Sequence, residues 1–121
     1  PLSRALDLIQ GAGGVAVIAH PWGRGQREQL PPRLLADLAE AGRLDGVEVD
    51  HQDHDDATRA ELRALADRLG LLATGSSDYH GLGKTDHGLG CNTTSDEVFA
   101  EIESRVAQRG GRLTGTGAEA V

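Results

Sequence analysis

Four of the five histidines in this 121-residue chain fall in three short segments, each directly after an apolar run. His20-Pro21-Trp22-Gly23-Arg24 follows residues 15–19, and Asp50-His51-Gln52-Asp53-His54-Asp55-Asp56 follows residues 46–49. The third, Ser76-Ser77-Asp78-Tyr79-His80-Gly81, follows residues 71–74, and His87 lies in the glycine-rich stretch beyond it. Imidazole and carboxylate together are the donors that hold Zn, Mn or Fe at neutral pH. Asp78 and His80 form the strongest pair: in an extended segment, residues two apart point to the same side, so both can reach one cation. His20 opens the loop after a different apolar run, and Pro21 bars helix at that residue. Together His20, Asp78 and His80 provide one side of a metal site.

Around this set lie candidates for contact with a substrate phosphate. Arg24 and Lys84 each follow a motif loop rich in glycine, and His54 sits where it could reach a phosphate or support a ligand. Each has a plainer reading beside it. His20 could cap the strand end by bonding a carbonyl, and Arg24 and Lys84 could be solvated loop cations. Asp53, Asp55 and Asp56 read as a solvated loop that caps a helix, and His51 carries less weight than His54. Trp22 either stacks on a base or covers the rim of the fold. Cys91 has no His or Asp at motif spacing and reads as a small loop residue.

The elements that must position these residues alternate. Ala5, Leu6, Leu8 and Ile9 have helical spacing between Ser3 and Gly11, and residues 15–19 then form a continuous apolar run. Such a run, β-branched and bounded by turn residues, predicts a strand buried on both faces. Pro31 and Pro32 open the next helix, where their missing N–H groups are not needed, and Leu34, Leu35, Leu38 and Ala39 give it a stripe ending at Gly42. Residues 46–49 predict the second strand. Asp55 or Asp56 caps a third helix with Leu62, Leu65, Ala66 and Leu69 buried and Gly70 as its stop, and residues 71–74 form the third strand. Thr94-Ser95-Asp96-Glu97 fits a capping box, with Thr94 as the cap of a last helix built on Val98, Ile102 and Val106. Residues 111–121 are small and polar and predict a flexible tail after a domain of residues 1–110.

Helices alternating with buried strands imply an α/β fold with a parallel sheet and right-handed crossovers, and ligands bind such sheets at the carboxyl ends of their strands. The chain opens on a helix with no strand before it, and three strands are few for this architecture. It therefore reads as a portion of something longer. Composition narrows the function. A formal charge of −7 argues against a basic nucleic-acid surface, and the single cysteine excludes an internal disulfide or a cysteine-based zinc knuckle. No apolar run approaches the ~20 residues that cross a bilayer, so no membrane partner is expected, and the cytoplasm is the expected location.

Ala19-His20-Pro21, then Gly46-Val47-Glu48-Val49 leading into His51 and His54, then Gly75-Ser76-Ser77-Asp78-Tyr79-His80-Gly81 resemble the later motifs of the PHP superfamily, named for polymerases and histidinol phosphatases. The resemblance runs from about residue 3 to residue 108 and is nearest the stand-alone metal-dependent phosphoesterases. It implies the C-terminal part of a distorted (β/α)7 TIM-like barrel that holds up to three divalent metals (Zn, Mn, Fe or Mg) at its strand ends. It implies hydrolysis of phosphate esters by metal-activated water, on small nucleotide-like phosphorylated molecules or short nucleic acid ends. By match, His20 is the ligand of the "HP" element, and Asp78 and His80 are those of the closing "DxH" element. The family's opening His-x-His pair has no counterpart in this sequence. These residues alone are therefore expected to be inactive, and a non-catalytic PHP-like interaction module is the competing expectation.

Overall fold

The computed structural model describes residues 1–82 and 87–111. Its elements alternate as the apolar pattern predicts: α1 (Leu2–Gly11), β1 (Val17–Ile18), α2 (Pro32–Glu40), β2 (Gly46–Asp50), α3 (Asp56–Leu69), β3 (Leu72–Gly75) and α4 (Asp96–Gln108). The fold is mixed α/β around a parallel sheet in the order β1-β2-β3. Val17 pairs with Gly46 and Ile18 with Val47; on the other side Gly46 pairs with Leu72, and the register slips between Glu48 and Asp50. As the central strand, β2 is covered on both faces, and Val47 and Val49 have no exposed surface.

The core joins these strands to three helices. Leu6 of α1, Leu35 and Leu38 of α2, and Leu62, Leu65 and Ala66 of α3 pack with Val47, Val49 and Trp22. Fully burying each branched side chain contributes about 1.5–3 kcal/mol, which makes this aromatic-poor cluster the main source of cohesion. Gly46 and Gly75 have no room for a side chain. A Cβ at Gly46 would stand 2.8 Å from the Leu72 carbonyl oxygen, and one at Gly75 would run into the carbonyl of Thr93.

Helix α4 is attached differently. Val106 is its one buried residue, while Phe99 remains half exposed. Polar contacts hold it instead: Arg109 Nη2 lies 2.7 Å from Asp45 Oδ1 and Arg105 Nη1 3.2 Å from the same oxygen, just ahead of β2. Asp45 Oδ2 also accepts from the Ala16 amide at 2.8 Å.

Some local expectations change. Strand β1 is shorter than residues 15–19, β2 runs one residue further than expected, and β3 begins and ends one residue later. The cap of α4 is Ser95, whose hydroxyl accepts from Val98 N at 3.2 Å. Thr94 is occupied elsewhere, donating to Gly75 O at 2.8 Å and accepting from Gly75 N at 3.0 Å. Its side chain thus ties the start of α4 to the end of β3, which local capping patterns do not foresee. The loop after β1 contains short 3-10 turns within Gly23–Glu28, broken at Arg24 and Gly25 where φ is +54° and +72°. Of the expected flexible tail, residues 112–121 lie outside the described residues.

Candidate metal centre

Three loops leave the carboxyl ends of β1, β2 and β3, and each delivers a donor to one place. The chain reverses at His20 (φ +28°) and again at Asp78 (φ +52°), so neither residue continues the line of its strand. Ligand-capable atoms of His20, His51 and Asp78 lie within 4.8 Å of one another, as do those of His51, Asp53 and His87. His51 is the hub. It has no exposed surface, and its ring centroid stands 4.6 Å from that of His20, 6.2 Å from His54 and 5.6 Å from His87.

The hydrogen bonds around the hub are specific. Asp53 N donates to His51 Nδ1 at 2.9 Å, and His51 Nε2 lies 3.2 Å from Asp78 Oδ2. Glu48, buried on β2, accepts from the Ser76 hydroxyl through Oε2 at 2.9 Å, while its Oε1 stands 3.9 Å from His51 Nε2. Glu48 Oε1 and His20 Nδ1 are buried with no hydrogen-bond partner among the described residues. An unsatisfied buried polar atom costs about 1–3 kcal/mol, and a cation beside an imidazole and carboxylates would remove that penalty. The donor set therefore fits a divalent metal.

The expected site residues divide. His20 and Asp78 come together, from strands on opposite sides of β2. His80 shares the Asp78 loop, but its side chain is 62% exposed and its Nδ1 lies 2.6 Å from the Asp78 carbonyl oxygen. A carbonyl only accepts, so Nδ1 bears the proton and Nε2 carries the lone pair. The extended geometry expected for the Asp78-Tyr79-His80 step is absent, because Asp78 is left-handed. His54, expected near a phosphate, is buried and bonded to main chain through both nitrogens. Its Nε2 accepts from Trp22 N at 3.2 Å, and its Nδ1 donates to Val49 O at 2.9 Å. Burial pushes its pKa below the ordinary value, and nearby His51 adds to the effect. As placed, it holds the β1 loop against β2.

Arg24 lies on the exposed rim, with Nε 2.9 Å from Asp53 Oδ2. Lys84 lies outside the described residues. Trp22 covers rather than stacks: it is 6% exposed, its Nε1 donates to Leu30 O, and the Arg27 guanidinium sits 4.2 Å from its ring centroid. Asp55 caps α3 by accepting from Thr58 N, as its place in the acidic run predicts.

His51 is the residue at the centre of the cluster that the sequence undervalues. Its position directly after β2 is the signal, and the surrounding aspartates hide it by suggesting a solvated loop.

No family model matches the chain. Individual proteins do. The chain is 44% identical over 84 residues to a phosphoribosyl 1,2-cyclic phosphate 1,2-diphosphodiesterase of Eggerthella lenta, an alignment covering 69% of this chain and 30% of that protein. It is 37% identical over 111 residues to a 3',5'-nucleoside bisphosphate phosphatase of Chromobacterium violaceum, covering 87% of this chain and 38% of the relative. Its fold resembles the crystal structure of a protein from Bifidobacterium adolescentis assigned as a metal-dependent phosphoesterase, with a TM-score of 0.76 and 39% identity over 92% of this chain and 37% of that one. The chain spans between 30% and 38% of the length of these three proteins. This likeness in sequence and in fold makes the chain a homologue of part of these proteins, consistent with a PHP-type phosphoesterase.

Proposed function

We propose that this chain forms one wall of a metal-dependent phosphoesterase that hydrolyses phosphate esters of small, nucleotide-like molecules. The observation that carries the reading is the approach of His20 and Asp78, from separate strands, to within 4.8 Å in one cluster of imidazoles and carboxylates around the buried His51. In this reading His20 and Asp78 hold a divalent cation, and His80 adds the Nε2 lone pair that its bond to the Asp78 carbonyl leaves exposed. A bound cation supplies a water of lowered pKa and offsets charge on the attacked phosphate. The protein's own part is to fix the donors, exclude solvent around His51 and meet the phosphate with cations from the rim. Arg24 serves the last role, as does Lys84 beyond the described residues.

A distorted (β/α)7 barrel supported by the parallel β1-β2-β3 sheet is the architecture we propose for the whole domain, with residues 1–110 as one part of it. The three loops at one end of the sheet would then belong to its rim. Zn, Mn or Fe suits the imidazole-rich donor set better than Mg, which prefers oxygen and water ligands. Two of the relatives bear names for cleavage of small phosphorylated molecules, a cyclic ribose phosphate and a nucleoside bisphosphate. Those names support a small phosphorylated substrate, with a short nucleic acid end as the larger variant of the same chemistry.

The test is made on the full-length natural protein, stripped of metal and reloaded with Zn, Mn or Fe. Metal-dependent release of phosphate from a nucleoside 3',5'-bisphosphate, or opening of a ribose cyclic phosphate, is the expected result. Firm metal binding without hydrolysis of any phosphate ester would overturn the catalytic reading in favour of a non-catalytic module.

A further inference from the structure

The two histidines hydrogen-bonded to Asp78, His51 and His80, are held in opposite tautomers. A neutral imidazole has one N–H and one lone pair, and its partners decide which nitrogen holds which. At His80 the partner is a carbonyl oxygen on Nδ1, so the lone pair is on Nε2. At His51 the partner of Nδ1 is the main-chain N–H of Asp53, which can only donate. His51 Nδ1 is therefore the acceptor, and the proton is on Nε2. Among the described residues two carboxylates lie within 4 Å of Nε2: Asp78 Oδ2 at 3.2 Å and Glu48 Oε1 at 3.9 Å. An Nε2 lone pair would point at two anions, whereas an Nε2–H donates to one and is attracted by the other.

We infer that His51, though central to the cluster, is a positioning residue and not a metal ligand: its Nε2–H bonds and orients the Asp78 carboxylate. To ligate through Nε2, the ring would have to lose its remaining proton or give up the Asp53 amide. Neither is compatible with the observed contacts. The Asp53 amide thus acts as the tautomer key, and it lies in the loop that also carries the Asp53 carboxylate to Arg24. Hydrogen bonds of this type hold ligating carboxylates in place, and their loss typically costs 10–100-fold in metal affinity. The inference rests on the reading of Asp78 as a ligand, but the tautomer of His51 stands apart from that reading and is measurable without metal.

The experiment uses the chain labelled with 15N at histidine. Ring 15N spectra of the metal-free chain report the tautomer of each histidine, and loss of one set of signals in His51→Gln assigns His51. Adding 113Cd as the probe then reports ligation as a direct cadmium–nitrogen coupling. An Nε2–H tautomer at His51, with cadmium coupling at His20 but none at His51, is the expected result. An Nδ1–H tautomer, or coupling at His51 Nε2, overturns the inference. Coupling at no histidine, with His51 still Nε2–H, supports the assigned tautomer and defeats the metal reading, so the two failures are distinguishable. Cadmium affinity of the variants gives a second readout. His51→Gln, whose amide can still donate to Asp78, should stay within about tenfold of the native chain, while His51→Ala should lose 10–100-fold. Equal losses in the two variants would overturn the positioning role.

Discussion

The rings of His20 and His51 stand with centroids 4.6 Å apart and planes tilted by 46°, one delivered by the loop after β1 and the other by the loop after β2. The contact sets two imidazole rings from neighbouring strands beside the Asp78 carboxylate. Substitution of His20 by Ala, or of Asp78 by Asn, is expected to lower the Zn or Mn affinity of the chain at least tenfold. Titration calorimetry on each variant measures the change, and circular dichroism shows whether the fold is retained. Unchanged affinity in both would remove these residues from the ligand set.

Arg24 offers a way to separate binding from stability. Its side chain is 62% exposed and its pair with Asp53 is on the surface, so Arg24→Ala should shift unfolding by less than about 1 kcal/mol. The same change should weaken inorganic phosphate binding to the metal-loaded chain several-fold. A loss of stability with unaltered phosphate affinity would mark Arg24 as structural.

The clasp on α4 should be sensitive to acid. Burial opposes charge on Asp45, but hydrogen bonds from Arg109, the Ala16 amide and Arg105 outweigh it and hold the carboxyl below its ordinary pKa. A carboxyl whose pKa is lower folded than unfolded stabilises fully above the ordinary carboxylate range. That contribution is lost as pH falls through the depressed value, below about pH 4. Asp45→Ala should destabilise the fold by about 1–3 kcal/mol at neutral pH and flatten this part of the acid limb. Urea midpoints across pH 2–7 (a range of roughly the acid limb plus the neutral plateau) provide the comparison.

Of the two sheet glycines Gly46 and Gly75, Gly75 leaves less room for a side chain. A methyl there would meet the Thr93 carbonyl and the Asp50 Cβ, so Gly75→Ala should cost about 1–3 kcal/mol by forcing β3 and the segment before α4 apart. Because Ser76 bonds Glu48 from the next position, Gly75→Ala should also perturb the 15N signals of His51. A native-like midpoint would show that the backbone yields there freely.

Much of the architecture is legible in the residues. Continuous apolar runs mark buried parallel strands, and the stripes Leu35–Leu38 and Leu62–Leu65–Ala66 mark helices whose faces enter the core as expected. What escapes is set by contacts distant in sequence. Thr94 satisfies every local rule for a cap, yet it bonds Gly75, so the cap shifts to Ser95. The site shows the same division. The placement of donors after strands picks out His20 and Asp78 as neighbours, because the topology gathers strand ends. The role of His51 depends on which nitrogen meets the Asp53 amide, and that follows from loop geometry, which spacing does not encode. His54 was equally visible and is occupied by main chain for the same reason.

His20 and Asp78 both adopt the left-handed backbone region that side-chain-bearing residues otherwise avoid, at a penalty of roughly 1–2 kcal/mol each, somewhat less for Asp. Glycine at either place would relax the backbone and delete a donor in one stroke. If His20 and Asp78 hold a cation as proposed, thermal robustness and metal binding are opposed at these two positions. A selection for heat tolerance alone would erode the centre first at these positions, before touching the sheet beneath it.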